Sequence, residues 1–261
     1  MDLGLKDRVV VVTGGGSGIG EAISRLCLQE GATVVVVSRR TDHVSAFISE
    51  MNRTQQKCDF FEADLGDLNQ CESAIRYIEQ RHRTLTGLVN NAGVNDGIGL
   101  EHGTPEQFAQ SLRQNLVHYY AMMHYALPML KASRGSVVNI SSKVAITGQG
   151  GTSAYAAAKG AQLALTREWA AELAPFGVRA NAVLPAEVMT PLYQSWISQR
   201  EDPEKALSDI KRRIPLGHRM TEAAEIAAMV VFLLSPSQSA HTTGQHIVVD
   251  GGYTHLDRAL T

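Results

Sequence analysis

Short apolar runs alternate with amphipathic stretches from one end of the chain to the other. Continuous apolar runs are typical of strands buried on both faces, as in a parallel sheet covered by helices. The alternation therefore predicts one α/β domain over residues 1–261, a doubly wound parallel sheet of about seven strands in three layers, α/β/α. The predicted strands are Val9–Val12, Thr33–Val37, Cys58–Phe61, Gly87–Val89, Ser136–Ile140, Val178–Val183 and His246–Val249. The predicted helices are Ile19–Glu30, Asp42–Met51, Leu68–Arg81, Pro105–Lys131, Ser153–Ala174 and Glu222–Leu234.

The least regular stretch covers residues 185–215. Two short polar helices are predicted there, Pro191–Gln199 and Pro203–Arg213, and they interrupt the last crossover. An insertion at the carboxyl edge of a sheet is well placed to cover a substrate. A long surface loop is the alternative, but Tyr193 and Trp196 supply apolar surface that favours a lid.

Composition narrows the class of protein. Hydrophobic residues make up 44% and charged residues 19% of the chain, which fits a globular protein with a substantial core. A net charge of -2 gives no electrostatic case for nucleic acid or an acidic membrane. No apolar run approaches a membrane span, and the first residues lack a signal-peptide layout, so we expect a cytoplasmic protein. The cysteines Cys27, Cys58 and Cys71 match no metal-ligand spacing and are expected to be core thiols.

Three side chains suited to proton transfer follow the fifth predicted strand. Ser142 stands at the carboxyl end of that strand, where ligands bind in open α/β sheets. Tyr155 and Lys159 lie four positions apart on the next predicted helix and so share a face. An ammonium favours a neighbouring phenolate, and a serine hydroxyl can hold a substrate oxygen whose charge changes. Taken alone, the Tyr–Lys spacing would fit an ordinary surface pair equally well.

A glycine-rich turn joins the first predicted strand to the first predicted helix. Glycines let the backbone approach a pyrophosphate, and a helix N-terminus attracts negative charge. In this strand–turn–helix context a dinucleotide site is favoured over an ordinary tight turn. The residues concerned are Gly14, Gly16, Ser17, Gly18, Ile19 and Gly20.

The ordered set of motifs resembles the short-chain dehydrogenase/reductase family over nearly the whole chain. The set comprises the glycine turn, Asn90-Asn91-Ala92-Gly93, Ser142, Tyr155 with Lys159, and Asp250-Gly251-Gly252. The resemblance implies a Rossmann-type fold, usually a tetramer, and hydride transfer between a nicotinamide cofactor and an alcohol or carbonyl. It also implies that the helices predicted at Pro105–Lys131 and Ser153–Ala174 contribute to subunit contacts.

The resemblance implies a role for each residue that matches the family's pattern. Tyr155 is the acid/base, Lys159 lowers its pKa and holds the cofactor ribose, and Ser142 orients the substrate oxygen. Asn115 completes a proton relay through a water near the lysine, and it equally fits an asparagine at a helix kink. The implied cofactor contacts are Asp64, Leu65, Asn91, Ala92, Gly93, Pro185, Val188 and Thr190, with Tyr155 and Lys159. Ala186 departs from the pattern, because the family usually has glycine there.

Residues after the second predicted strand bear on the choice of cofactor. A carboxylate at this position would bind the 2′-hydroxyl of the NAD ribose, but the chain has Ser38 there, followed by Arg39 and Arg40. A guanidinium can bind a 2′-phosphate, so NADP is predicted. Gly16-Ser17 lacks the basic residue of many NADP-preferring relatives, and the arginines would also fit a solvated surface pair, so NAD stays open.

Polar residues surround the predicted pocket, where a steroid or fatty acyl pocket would be largely apolar. Buried amides and carboxylates need partners, which a polyhydroxylated substrate supplies. The candidate substrate residues are Asn95, Asp96, Ser142, Lys143, Gln149, Tyr155, Glu187, Tyr193 and Trp196. Some of them are expected to face away from the pocket or to bind loop backbone instead.

A closer resemblance, to the bacterial L-fucose dehydrogenases of this family, lies in residues 90–100, 140–143, 147–150, 185–193 and 250–258. That resemblance implies oxidation of the anomeric hydroxyl of a pyranose to a lactone. Another alcohol or carbonyl substrate, such as a steroid or a 3-oxoacyl thioester, is the first alternative. A non-catalytic nucleotide-binding regulator is the second, and the presence of Asn115, Ser142, Tyr155 and Lys159 argues against it.

Overall fold

In a computed structural model, which describes residues 2–256, seven strands form one parallel sheet. The strands are β1 (Val9–Thr13), β2 (Thr33–Ser38), β3 (Cys58–Glu62), β4 (Gly87–Asn90), β5 (Ser136–Ile140), β6 (Arg179–Pro185) and β7 (His246–Val249). Their order is β3-β2-β1-β4-β5-β6-β7, and every neighbouring pair is parallel. The order reverses between β1 and β4, where the carboxyl ends of strands leave a crevice for ligands. The predicted fold class is confirmed.

Helices cover both faces of the sheet. They are α1 (Gly18–Gln29), α2 (Asp42–Arg53), α3 (Leu68–His82), α4 (Pro105–Leu112), α5 (His118–Ser133), α6 (Ser153–Leu173), α7 (Pro191–Ile197), α8 (Pro203–Arg212) and α9 (Ala223–Leu234). One apolar core lies between the sheet and α1, α2 and α9, and a second lies between the sheet and α3, α5 and α6. Among residues 2–256, no helix combines the length and apolar character needed to cross a membrane.

The prediction of one continuous helix over Pro105–Lys131 is wrong in one respect. A π-helical turn over Arg113–Val117 separates α4 from α5. Asn115 lies in this turn and is fully buried. Its side-chain Nδ2 donates to the Ser111 carbonyl at 3.2 Å, and its Oδ1 accepts from the Val94 amide at 2.8 Å. The asparagine therefore sits at a helix irregularity, a common feature of functional sites.

The three cysteines are free thiols in the core, as predicted. Cys27 packs within the α1 side of the sheet and Cys71 within the α3 side. Burial raises the pKa of each cysteine, Cys58 included, to about 12. These thiols are therefore protonated packing groups at neutral pH.

Candidate active site

The chain between β5 and α6 brings the predicted acid–base residues together. After Ile140 it passes through Ser142, whose Oγ accepts a hydrogen bond from the Val144 amide at 3.4 Å. Tyr155 and Lys159 lie on successive turns of α6, with the lysine Nζ 5.4 Å from the centroid of the tyrosine ring. The Ser142 side chain also lowers the pKa of Tyr155, so it is near the phenol. The phenol, hydroxyl and ammonium thus occupy one site at the carboxyl edge of the sheet.

Burial dominates the titration of Tyr155. It raises the pKa of Tyr155 to about 12, against the opposing hydrogen bond from Ser142, and the carboxylate of Asp96 raises it further. A phenol in this environment needs an additional positive charge before it loses its proton at moderate pH.

Lys159 is itself 2% exposed. Its Nζ donates to the Ile140 carbonyl at 2.7 Å, to Gln162 Oε1 at 3.3 Å and to the Tyr119 hydroxyl at 3.4 Å. Burial lowers the pKa of Lys159 to about 7. The sequence interpretation missed Gln162 and Tyr119. Gln162 follows the lysine by three positions on the same helix face, so its spacing was an available signal, whereas nothing in the sequence marks Tyr119.

The glycine turn forms a close-fitting cradle at the start of α1. Gly14 and Gly18 have φ values of +65° and +57°, in the left-handed region that favours glycine. A Cβ on Gly20 would lie 2.1 Å from the Gly14 carbonyl oxygen, so no side chain fits there. The N-cap residue Ser17 makes no side-chain hydrogen bond to the helix, which leaves its first amides for an anion. These features fit the pyrophosphate of a dinucleotide.

Hydrogen bonds to Thr13, at the end of β1, link the turn after β4 to the start of the glycine turn. The Thr13 Oγ1 accepts from the amides of Asn91 and Ala92 at 2.9 and 3.1 Å. The Asn91 side chain donates back to the Thr13 carbonyl at 2.9 Å. A Cβ on Gly93 would lie 3.7 Å from Lys159 Nζ, so this turn also reaches the acid–base residues.

The other predicted cofactor contacts surround this cradle. After β3, Asp64 Oδ1 accepts from the Gly66 amide at 3.0 Å, and the side chain of Leu65 is buried. At the opposite side, a Cβ on Gly18 would lie 3.3 Å from Thr190, whose own hydroxyl caps α7. Pro185 ends β6, and Val188 is buried two residues before Thr190. Ala186 is not among the residues with positive φ, so its backbone does not require glycine.

The two arginines after β2 have different surroundings. Arg40 pairs with Glu62, Nε to Oε2 at 2.9 Å, and its guanidinium lies 4.7 Å from the centroid of the Phe60 ring. Glu62 lies opposite Ser38 in the β2–β3 register. Arg39 is exposed, and its guanidinium makes no hydrogen bond or ion pair with any other side chain or main-chain group in residues 2–256. Arg39 is therefore the guanidinium available to a ligand, a distinction that the sequence interpretation did not make.

Lys143 and Glu187 form a largely buried ion pair, with each side chain 11% exposed. The Tyr193 hydroxyl donates to the second carboxylate oxygen of Glu187 at 2.8 Å. Lys143 Nζ lies 4.4 Å from the centroid of the Tyr253 ring, and the Tyr193 and Trp196 rings are 5.1 Å apart. Burial, followed by the charge of Glu187, raises the pKa of Tyr193 well above its usual value. Four predicted substrate residues thus meet here, with Tyr253 added from the segment after β7.

The three remaining substrate candidates differ in their surroundings. The Asp96 Oδ1 is buried and has no hydrogen-bond partner among residues 2–256. Its negative charge contributes to the raised pKa of Tyr155. Asn95 is exposed and uses its Oδ1 to accept from the Gly97 amide at 3.3 Å. Gln149 is exposed in the loop before α6.

Comparisons with known proteins agree with this geometry. A family model described as enoyl-(acyl carrier protein) reductase matches residues 14–254. L-fucose dehydrogenase of Mus musculus is 36% identical over 246 residues, which are 94% of this chain and 88% of that protein. The 3-oxoacyl-acyl-carrier-protein reductase of Thermotoga maritima is 34% identical over 249 residues, 95% of this chain and 98% of the relative.

Solved structures are similar over the full length. The crystal structure of Cj0485 dehydrogenase matches with 44% identity and a TM-score of 0.94, covering 100% of this chain and 99% of that one. The aldohexose dehydrogenase of Thermoplasma acidophilum matches with 31% identity and a TM-score of 0.88, with the same two coverages. Relatives of this kind act on CH–OH groups of small molecules with NAD or NADP. The chain belongs to the short-chain dehydrogenase/reductase family and is an oxidoreductase.

Proposed function

We propose that this enzyme oxidises the anomeric hydroxyl of L-fucose, or of an aldose of similar configuration, to the lactone. The observation that carries the proposal is the Asp96 Oδ1, which is buried without a hydrogen-bond partner in the described part of the chain and belongs to a carboxylate whose charge raises the pKa of Tyr155. A buried acceptor without a partner is costly, and a hydroxyl-rich substrate supplies the missing donor. Similarity to an L-fucose dehydrogenase and to an aldohexose dehydrogenase supports the same substrate class.

Each acid–base residue has a task in this reaction. Ser142 donates to the substrate oxygen and holds it near the phenol, and Tyr155 removes the hydroxyl proton as the C1–H bond breaks. Lys159 keeps a positive charge near the phenolate that results. When bound, the oxidised nicotinamide dinucleotide supplies the hydride acceptor and a positive charge that favours the phenolate.

The cluster of Lys143, Glu187 and Tyr193 would contact other hydroxyls of the sugar. Its ammonium and phenol can donate and its carboxylate can accept, so it can pair with groups that act in both roles. Tyr193 and Trp196 lie on α7, and we propose that α7 and α8 form the lid over the substrate.

We also propose that the enzyme is a homotetramer, and a stable monomer in a sedimentation experiment would exclude this assembly.

A substrate panel tests the proposed function. Initial rates would be measured as absorbance of the reduced nicotinamide, with L-fucose, L-galactose, D-arabinose, D-glucose and a steroid alcohol, each with NAD and NADP. The reverse assay would offer a 3-oxoacyl thioester and reduced cofactor, because similarity to a 3-oxoacyl reductase favours that candidate. We expect the highest kcat/KM with L-fucose or a sugar of its configuration. Activity confined to the steroid or the thioester would show the sugar assignment to be wrong.

Asp96→Asn should lower kcat/KM for the preferred sugar by roughly 10- to 100-fold, because a charged acceptor contributes about 1.5–3 kcal/mol. Since the carboxylate raises the pKa of Tyr155, the pH profile of oxidation should also move to lower pH. Glu101→Gln, at an exposed carboxylate in the same segment, is the control and should change neither quantity. An unaltered kcat/KM for the sugar in Asp96→Asn would place the substrate elsewhere.

NADP is our proposed cofactor, and Arg39 is the residue that tests it. Arg39→Ala should weaken NADP binding by roughly 10- to 100-fold, the effect of losing a charge-assisted hydrogen bond to the 2′-phosphate, and should leave NAD binding unchanged. Arg40→Ala is the matched control, with a smaller effect because Glu62 already holds that guanidinium. Dissociation constants would come from the fluorescence of the reduced cofactors. Tighter binding of NAD by the wild type would overturn the cofactor assignment and leave the sugar assignment standing.

A further inference from the structure

A side-chain amide lies between two parts of the acid–base site. Gln162 Nε2 donates to the Asn115 carbonyl at 2.7 Å, and Gln162 Oε1 accepts from Lys159 Nζ at 3.3 Å. The residue is fully buried on α6, and Asn115 lies in the π-helical turn between α4 and α5. The amide therefore links the lysine directly to that turn.

We propose that Gln162 is a positioning residue, whose amide links the Lys159 ammonium to the Asn115 carbonyl and so keeps the ammonium charged and near Tyr155. The proposal rests on the dehydrogenase chemistry argued above but not on the choice of sugar. An amide suits this position because it offers a donor to the carbonyl and an acceptor to the ammonium at once.

The surroundings of Gln162 hold it in one orientation. Its main-chain carbonyl accepts from the Thr166 hydroxyl at 2.7 Å, and that hydroxyl accepts from Asn139 Nδ2 at 2.9 Å. A reversed amide would point its nitrogen at the ammonium and its oxygen at the Asn115 carbonyl, so both contacts would become repulsive. The orientation is therefore determined by its two partners.

Two substitutions separate this role from simple packing. Gln162→Met conserves volume but leaves the ammonium and the carbonyl each without one partner. Gln162→Ala removes the amide and opens space between two polar groups, where a water molecule can bridge them. If Gln162 only filled space, Ala would be the more damaging change, because a cavity costs more than a volume-conserving swap.

We therefore expect Gln162→Met to lower kcat by about 10- to 100-fold, the consequence of a lost hydrogen bond to a charged group, with KM little changed. We expect Gln162→Ala to keep kcat within about fivefold of the wild type, since water replaces most of one hydrogen bond. Equal losses in both variants, a lower kcat in Gln162→Ala than in Gln162→Met, or no loss in either would overturn the proposal.

A second readout does not depend on activity. Lys159 has a folded pKa of about 7 and an ordinary value of 10.5, so the unfolded chain binds more protons between these limits. Stability should therefore fall as pH decreases from 10.5 and level off near 7. In Gln162→Met the lysine loses an acceptor, its folded pKa drops, and the melting temperature should level off at lower pH. An unchanged levelling point would contradict the proposal, whereas failure of the substrate panel alone would contradict only the proposed function.

Discussion

Tyr155→Phe should lower kcat by about 10²- to 10⁴-fold, the range that general acid–base catalysis contributes. Phenylalanine preserves the ring that packs in the site but removes the hydroxyl that takes the substrate proton. Initial rates of cofactor reduction measure the loss. Binding of the reduced cofactor, followed by its fluorescence, should be retained, because the substitution removes one of several implied cofactor contacts and leaves the glycine cradle untouched.

The pH dependence provides a second test of the same residue. Burial raises the pKa of Tyr155 to about 12, so in the wild type the rate of oxidation should increase with pH over the neutral and alkaline range. The residual rate of Tyr155→Phe should lack this increase. Tyr120→Phe, at an exposed tyrosine of α5, serves as the control and should behave as the wild type does. If Tyr155→Phe kept more than about a tenth of the activity, another group would have to be the base.

Gly20→Ala should weaken the binding of either dinucleotide by roughly 5- to 150-fold, since overpacking a tight site costs about 1–3 kcal/mol. The added methyl group would lie 2.1 Å from the Gly14 carbonyl oxygen and 2.6 Å from Asn91 Nδ2. To relieve these two contacts, the start of α1 must move away from both Gly14 and Asn91. Titration with reduced cofactor measures the affinity, and circular dichroism verifies that the fold is retained.

Gly160→Ala is the matched control for Gly20→Ala. A Cβ there would have the Ala145 carbonyl oxygen, at 4.0 Å, as its nearest neighbour outside the adjacent backbone. Alanine is also the better helix former by about 1 kcal/mol, so the protein should become slightly more stable. Its cofactor affinity should equal that of the wild type. If both variants bound the cofactor equally well, the cradle would not lie where we place it.

The strands were predictable because burial on both faces leaves a local signature. The signature is clearest in β1 and β2, where the apolar runs Val9–Val12 and Val34–Val37 are entirely buried in the structure. The prediction of a single long helix at Pro105–Lys131 was wrong because the feature that interrupts it depends on a contact with a distant segment, not on a local pattern. In the π-helical turn, Asn115 accepts a hydrogen bond from Val94, which lies 21 residues away in the chain. The spacing of apolar residues along a helix gives no information about such a contact.

Residue types in the site were predictable, but their pairing was not. The sequence alone does not show which of Arg39 and Arg40 is available to a ligand. The difference arises because Glu62 on the neighbouring strand pairs with Arg40. Asp96 and Asn95 are also adjacent, yet one has a buried unpartnered oxygen and the other is exposed. Such distinctions arise from contacts between elements far apart in the chain.

The place of Arg39 in the sheet has an evolutionary consequence. It follows β2, on one side of the point where strand order reverses, whereas Ser142, Tyr155 and Lys159 follow β5 on the other. Mutations at distant sites without shared partners have nearly additive effects. On the proposed assignments, a lineage can therefore exchange one nicotinamide cofactor for the other near β2 and adapt to a new metabolic redox pool without altering the proposed proton-transfer residues.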